Sequence, residues 1–389
     1  MEAAPKNILR GHKSQVHSAI FIRNNTRLAT GDADGYVVLW DLTIARPRAV
    51  WRAHGGGILG IRGWGDRIIT HGRDHKLIVW QLGEEDEKRL SVSLPLEGTT
   101  SSKQSEHRPD PWILHIDIFS LPSQSRIHTV KDTSKRDTGM AMSISLLNLE
   151  GQITLIAAFE NGHVSVRRLL DTRDQDGGNS SQQWVTTYRT QAHSQPILSL
   201  DVHPTLEYFI SSGADAIIAK HPIPTRQQEH IILSQDQDQN QRQHFDPDNR
   251  VVQEVDDEEV ERATTTTTTT LKEWEHPLKT VNTRHSGQQS LRIRSDGKIF
   301  ATAGWDTRVR VYSCKTMREL AVLSWHRVGC YAVALAGVEG AAAEAGAAAA
   351  GTGTGTAVSR IGVTTSVKDR RIHQAKTAHW VAVGDKDGR

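Results

Sequence analysis

Two tryptophans, Trp40 and Trp80, stand forty residues apart and close two stretches built on one plan. Residues 8–42 read ILRGHKSQVHSAIFIRNNTRLATGDADGYVVLWDL, and residues 51–82 read WRAHGGGILGIRGWGDRIITHGRDHKLIVWQL. Each begins with a His, passes through short alternating apolar runs, turns at Asp-Gly or Asp-His, and ends in a β-rich run closed by Trp. Alternation with period two makes half-buried strands, and a period near forty is that of a four-stranded unit copied in series. Such a unit cannot bury its apolar faces alone, so stacked copies must supply the core.

The frame recurs downstream as AHSQPILSLDVHPTLEYFISSGADAIIAKHPI at 192–223 and HSGQQSLRIRSDGKIFATAGWDTRVRVYS at 285–313. A copy at 139–169 lacks the leading His, and another runs from about Trp325 to the end, closing with HWVAVGDKDGR. Six copies are readable. Counting back from the Trp-equivalent position, an acidic or amide residue sits six earlier: Asp34, Asp74, Asn161, Asp215 and Asp306. A hydroxyl stands ten earlier at Thr30, Thr70, Ser211 and Thr302, and the leading His are His12, His54, His193 and His285. This spacing predicts a His–Ser/Thr–Asp–Trp hydrogen-bond relay that braces each unit, with the buried indole N–H as donor. Ser/Thr, His and Asp also make a catalytic triad, but a nucleophile is not installed four times with a Trp attached. The pattern resembles a WD-repeat β-propeller, although the Trp-Asp pair itself occurs only at Trp40-Asp41.

Residues 83–121 fill a blade slot poorly. KRLSVSLPL can be an outer strand, and IDIFSLPS is a degenerate LWDL, with a polar linker and the short apolar run WILHI between them. The expectation is one all-β domain over 1–389, a seven-bladed propeller with incomplete third and last blades; six blades is the alternative. GDKDGR at the end matches GDADGY of the first copy, where VVLWDL follows, so the last blade is expected to lack a strand and the gene model to be truncated. PKNILRGH is placed to supply a closing strand. Low-complexity stretches at 171–183, 224–284 (with seven consecutive Thr) and 337–358 are expected to be disordered insertions. They are too polar or too Gly/Ala-rich to offset ordering entropy.

Composition narrows the function. Lys and Arg number 47 against 45 Asp and Glu, a net charge of +2. That balance gives no chain-wide field for nucleic acid or anionic membrane. Two cysteines, Cys314 and Cys330, leave at most one bridge. So few in so long a chain read as cytosolic or nuclear. The amino terminus has no secretory pattern. Nowhere is there an uninterrupted apolar run of roughly 18 residues, the length a spanning helix needs. GTGTGT at 351–356 lacks the strand and helix of a phosphate loop, and neither HExxH nor CxxC is present. No cofactor, metal, catalytic residue or small-molecule substrate is therefore expected. The acidic run 254–261 is a solvated loop or a contact for a basic partner such as a histone tail. Residues one before each turn Asp or Asn project onto a rim: Ala33, Arg73, Glu160, Ala214, Trp305 and Lys386. Trp and Arg are enriched at binding hot spots, so Arg73, Glu160, Trp305 and Lys386 are the candidate partner-binding residues.

Three stretches carry a closer resemblance: residues 9–42, the run HGGGILGIRGWGDRIITHGRDHKLIVWQL, and RHSGQQSLRIRSDGKIFATAGWDTRVRVYS. With FENGHVSV and HWVAVGDKDGR they resemble the fungal ASTRA-associated protein 1 family, relatives of the animal G-protein-β-subunit-like WD proteins. That resemblance implies a non-enzymatic scaffold subunit of the nuclear ASTRA complex, with no direct nucleic-acid or membrane contact. It also implies ties to chromatin remodelling and to stabilising phosphatidylinositol-3-kinase-related kinases. Two other classes stay open. Trp305-Asp306-Thr307-Arg308 resembles the WDxR signature of cullin-type ubiquitin-ligase substrate receptors, and a propeller enzyme would need carboxylates or a metal in the channel.

Overall fold

The computed structural model describes residues 4–83, 90–95, 115–121, 123, 125–131, 138–173, 180–225, 273–338 and 366–389. The alternating runs form antiparallel sheets in chain order. The first holds β1 (Val16–Ile22), β2 (Arg27–Asp32), β3 (Tyr36–Asp41) and β4 (Arg46–Arg52). The second holds β5 (Ile58–Trp64), β6 (Arg67–Gly72), β7 (Lys76–Gln81) and β8 (Leu90–Pro95). A two-stranded sheet follows, β9 (His115–Ser120) with β10 (Ser125–Lys131). The fourth sheet is β11 (Ala141–Leu149), β12 (Gln152–Phe159), β13 (His163–Arg173) and β14 (Ser180–Gln191). The fifth is β15 (Ile197–Val202), β16 (Tyr208–Gly213), β17 (Ile217–Pro222) and β18 (Lys279–Asn282). The sixth is β19 (Gln288–Ile293), β20 (Ile299–Gly304), β21 (Val309–Ser313) and β22 (Glu319–Leu323). A last pair joins β23 (Cys330–Leu335) to β24 (Val381–Asp385), with helix α1 (Val367–Thr377) between them in sequence. The described residues are thus almost wholly β, and none of their helices is long and apolar enough to cross a membrane.

First strands of neighbouring sheets touch one another, β1 with β5 and β23, β15 with β11 and β19, and so line the ring axis. Six of these strands carry a β-bulge at one equivalent place: Val16/Ser18, Ile58/Gly60, Ala141/Ser143, Ile197/Ser199, Gln288/Ser290 and Cys330/Ala332. The residue after the bulge then fastens one sheet to the next. Ser18 Oγ accepts from Ile61 N–H (3.0 Å), Ser143 Oγ from Leu200 N–H (3.3 Å), Ser199 Oγ from Leu291 N–H (3.1 Å) and Ser290 Oγ from Val333 N–H (3.3 Å). Apolar clusters fill the same seams. Ile20 and Ile22 pack against the cluster of Ile61, Ile68 and Trp80, and Tyr208, Ile210 and Leu291 share another with Phe300 and Tyr312.

A glycine turn repeats the joint on the rim. The missing side chain of Gly35 leaves room for the His54 carbonyl, that of Gly162 for His193, and that of Gly388 for His12. All three have positive φ. Gly alone is unstrained there. The last of them links the final sheet to the first and closes the ring, helped by Val16 against Gly384.

Several expectations change. Residues 4–15 form no strand, so PKNILRGH does not pair with the last sheet; Lys6 lies over the Trp380 ring instead (4.9 Å). The degenerate unit expected over 83–121 divides. KRLSVSLPL gives β8, the fourth strand of the second sheet, whereas IDIFSLPS gives β9, whose partner β10 runs beyond 121. Residues 112–114 of WILHI lie outside the described residues. The stretch 171–183 is in part a hairpin, because Asp171 to Arg173 pair with Ser180 to Gln182 and extend β13 and β14. Within 224–284, β18 pairs with β17, and Trp274 bridges Tyr188. Composition concealed these short strands because a fourth strand borrows its partner from the sheet rather than from its own neighbours. Gly337 and Val338 are fixed by Asn25 and Ser295, while the rest of 337–358 lies outside the described residues, as do the acidic run 254–261, Thr264 to Thr270 and GTGTGT. Cys314 and Cys330 are free, buried thiols, each pushed up to about 12 by burial.

Candidate functional site

Three of the four expected copies bring a histidine from the connection before the first strand against the second strand or the turn that follows it. In the second sheet Trp80 Nε1–H donates to Thr70 Oγ1 (2.9 Å), His54 Nε2 lies 2.8 Å from that hydroxyl, and His54 Nδ1 is 2.8 Å from Asp74. The first sheet repeats the chain through Trp40, Thr30 and His12 at 2.8 and 2.7 Å, but the carboxylate is Asp32, 2.7 Å from His12 Nδ1. Asp34, expected in that role, is exposed and only its backbone N–H meets Asp32. The cause is local. Asp32 ends β2 pointing inward and its Oδ1 accepts from the N–H of both Asp34 and Tyr36, so the turn folds around it.

The third copy uses a substitute. His193 joins Asp215 (2.9 Å) and Ser211 (2.8 Å), and the tryptophan's place is taken by His221, 2.8 Å from Ser211 Oγ and 2.8 Å from Tyr188 OH. Burial pushes His221 well below the usual imidazole range and keeps it neutral. A neutral ring donates from Nε2 to Ser211 and accepts at Nδ1 from the phenol, so it supplies the N–H an indole would. The fourth copy does not close. His285 stands 3.7 Å from Asp306 and is partly exposed, because Arg310 holds that carboxylate at 2.6 Å. Tyr312 stands in the tryptophan's place. A further link escaped the spacing argument. His326 Nδ1 bonds Asp385 at 3.0 Å, and Asp385 Oδ1 accepts from Asp387 and Arg389 as Asp32 does from Asp34 and Tyr36. The signal was the shared Gly-Asp-x-Asp-Gly of 31–35 and 384–388.

These groups are structural in their surroundings. Thr70 and Ser211 have no exposed surface, and Thr30 and Thr302 are buried, so these four hydroxyls face the interior rather than solvent. Burial tends to raise the carboxyls of Asp32, Asp74 and Asp215, yet the facing His and backbone N–H groups outweigh it and hold all three below the usual range. No three His, Cys, Asp or Glu side chains converge as metal ligands among the described residues.

The rim positions are equivalent by backbone. Ala33, Arg73, Glu160, Ala214, Trp305 and Lys386 each donate their N–H to the residue just before a first strand: Gln15, Gly57, Met140, Pro196, Gly287 and Gly329. The relay Asp comes one before this residue in the first and last sheets and one after it in the second, fifth and sixth. Arg73, Glu160, Trp305 and Lys386 are all exposed, spread around one face rather than gathered. Arg73 pairs with no carboxylate among the described residues. The Glu160 carboxylate caps Met140 N–H (3.2 Å), and Trp305 lies on Gly287 with its indole donating to Gln289 (2.9 Å). On the opposite face a cleft of about 680 Å³ opens between Arg23, Asp66 and α1, and there Arg27 and Asp41 already pair.

With this geometry, the likenesses are informative. The WD domain, G-beta repeat family matches residues 3–41, 184–219 and 276–313. The chain is 45% identical over 427 residues to the ASTRA-associated protein 1 of Verticillium alfalfae, covering 99% of the chain and 91% of that protein. The protein of that name from Pyricularia oryzae is 43% identical, covering 100% and 96%, and the one from Schizosaccharomyces pombe 30%, covering 85% and 92%.

Proposed function

Because the chain belongs to the ASTRA-associated protein 1 family, a WD-repeat β-propeller family, we propose that it is a non-catalytic scaffold subunit of the ASTRA complex. Identity of 45% spread over nearly the full length of both proteins is the observation that carries this reading. The geometry supports it. The relay hydroxyls are buried, and the exposed residues lie on a broad rim, the arrangement of a platform for other proteins. Seven blade positions is our reading of the ring, with β9 and β10 the outer half of the third and β23 and β24 the inner half of the last.

We further propose, on the same family resemblance, a role in chromatin remodelling and in stabilising phosphatidylinositol-3-kinase-related kinases, and residence in the nucleus. Affinity purification of the tagged full chain tests it, with telomere-maintenance chaperone subunits or remodelling ATPases expected among the recovered proteins. Recovery of neither, or a tagged chain excluded from the nucleus, overturns it. The substrate-receptor reading loses its motif, since Trp305 to Arg308 lie in the turn before β21, not after it.

A further inference from the structure

One face of the β11–β14 sheet is only half covered. Leu146 and Leu155 are direct cross-strand partners, so their side chains share that face. Leu155, packed with Ile118 of β9 and Val130 of β10, is 2% exposed, whereas Leu146 is 51% exposed. Ile144, on the same face of β11, is also 51% exposed.

The wall opposite belongs to β5. Ile61 packs back toward Ile20, and a side chain on Gly63 would meet Ile22. Alternation therefore turns Gly60, Arg62 and Trp64 the other way. A Cβ on Gly60 would find nothing within 4 Å, and Trp64 is 43% exposed. Gly60 also stands where four other sheets have the fastening serine. Arg62 is exposed and makes no hydrogen bond or ion pair among the described residues. The Arg292 charge first, and the protein packed around it second, push Arg62 down to about 10, while Asp201 opposes them. Asp201 makes no ion pair with it among the described residues; its two oxygens accept from Val202 and Ile293 N–H. Between these walls β9 has β10 on one edge and, among the described residues, no strand on the other.

We propose that this slot receives an extended strand from a partner protein, in which apolar side chains alternate with carboxylates. A strand added to the edge of β9 away from β10 sends successive side chains to opposite faces. One set meets Ile144 and Leu146. The other meets Arg62, an unpaired guanidinium beside a second one, which favours a carboxylate and repels a lysine. The proposal rests on the protein being a binding platform, not on which complex it joins.

A fluorescein-labelled eight-residue peptide alternating valine and glutamate, titrated against the full chain, tests the slot by anisotropy. Saturable binding is expected, weakened at least tenfold by Arg62→Glu and by Leu146→Ser, and unchanged by Arg46→Glu on the outer strand β4. Leu146 is already half exposed, so its variant should keep its melting curve; Ile144→Thr gives the same readout if it does not. No binding by the wild type, equal binding of a valine–lysine peptide, or indifference to these substitutions overturns the proposal. A chain that ignores the peptide yet recovers its complex sinks the slot alone, and one that binds the peptide but recovers no ASTRA subunit sinks the other reading alone.

Discussion

Arg310 reaches across the turn to Asp306 at 2.6 Å and thereby keeps that carboxylate from His285, which stops at 3.7 Å. Asp306 lies in the turn before β21 and Arg310 in that strand, four residues on, whereas the histidine comes from the connection before β19. Arg310 grips both carboxylate oxygens. A guanidinium is always charged and suited to that grip, so it outcompetes an imidazole for the same acceptor. The fourth copy keeps the relay's His, Thr and Asp but braces the blade by a different bond.

Removing each partner should separate the two. Arg310 is 2% exposed. Arg310→Met leaves Asp306 without its cation and is expected to cost about 2 kcal/mol in urea unfolding. His285→Ala should cost under about 0.5 kcal/mol, as for a surface residue. Equal costs would mean that His285 still carries the load.

Asp32 and Asp34 offer a sharper contrast, being the same residue type two positions apart. Asp32 Oδ2 holds His12 while its Oδ1 takes two N–H bonds. Asp32→Asn keeps the shape but weakens all three, an expected loss of about 1.5–3 kcal/mol. Asp34→Asn touches an exposed side chain and should change the denaturation midpoint little.

The repeat itself was legible because every copy must bury the same seam, so His, Thr or Ser, and Asp recur at fixed spacing in the second and fifth sheets and nearly so in the first. What spacing could not show was which of two nearby aspartates points inward, since Asp32 and Asp34 differ only in how the turn closes around them. Nor could it show His221, a different residue type doing an indole's work. The serines at 18, 143, 199 and 290 were visible as letters, but their partners lie in the next copy, and counting back from tryptophan stays within one. The disordered reading of 171–183 failed at its ends for the same reason, because hairpin pairing there depends on the sheet already being formed.

Those serines make their own test. Ser18 Oγ is the acceptor for the Ile61 N–H in a buried seam. Ser18→Ala leaves that N–H unsatisfied and should cost about 1–2 kcal/mol. Gly60 is the equivalent place where the neighbouring wall is open. Gly60→Ser should change stability by less than about 0.5 kcal/mol. Chemical denaturation of both variants decides it, and a Gly60→Ser loss matching Ser18→Ala would mean that the slot is filled.

Acid should act in two windows. His221 has a folded value below its unfolded 6.5, so the unfolded chain takes up more protons and stability falls as pH drops below 6.5. His17 and His71 are lowered too, chiefly by burial, and add to the same slope. Asp32, Asp74 and Asp215 have folded values below 3.8; their contribution is full above 3.8 and is lost as pH falls through the folded values. Urea midpoints at about pH 7.5 and 5.5 should therefore differ, and His221→Phe should shrink the difference whatever its effect on absolute stability. An unchanged difference would show that His221 is not titrating between the two states.

Gly287 links the fold to the rim. Its φ is positive, and a Cβ there would come within 2.2 Å of the Trp305 ring. Gly287→Ala therefore brings backbone strain and displaces the indole. The expected cost is about 1–2 kcal/mol. With it the Trp305–Gln289 bond breaks and the ring moves further into water. Fluorescence reads this directly: Gly287→Ala should shift the emission to the red, and the shift should vanish when the substitution is made in a Trp305→Phe background. If partner recovery then falls in Gly287→Ala as it does in Trp305→Ala, the position of the indole, and not merely its presence, is what the partner recognises. If recovery is untouched by both, Trp305 is a lid over Gly287 and the rim contact must be sought at Arg73, Glu160 or Lys386.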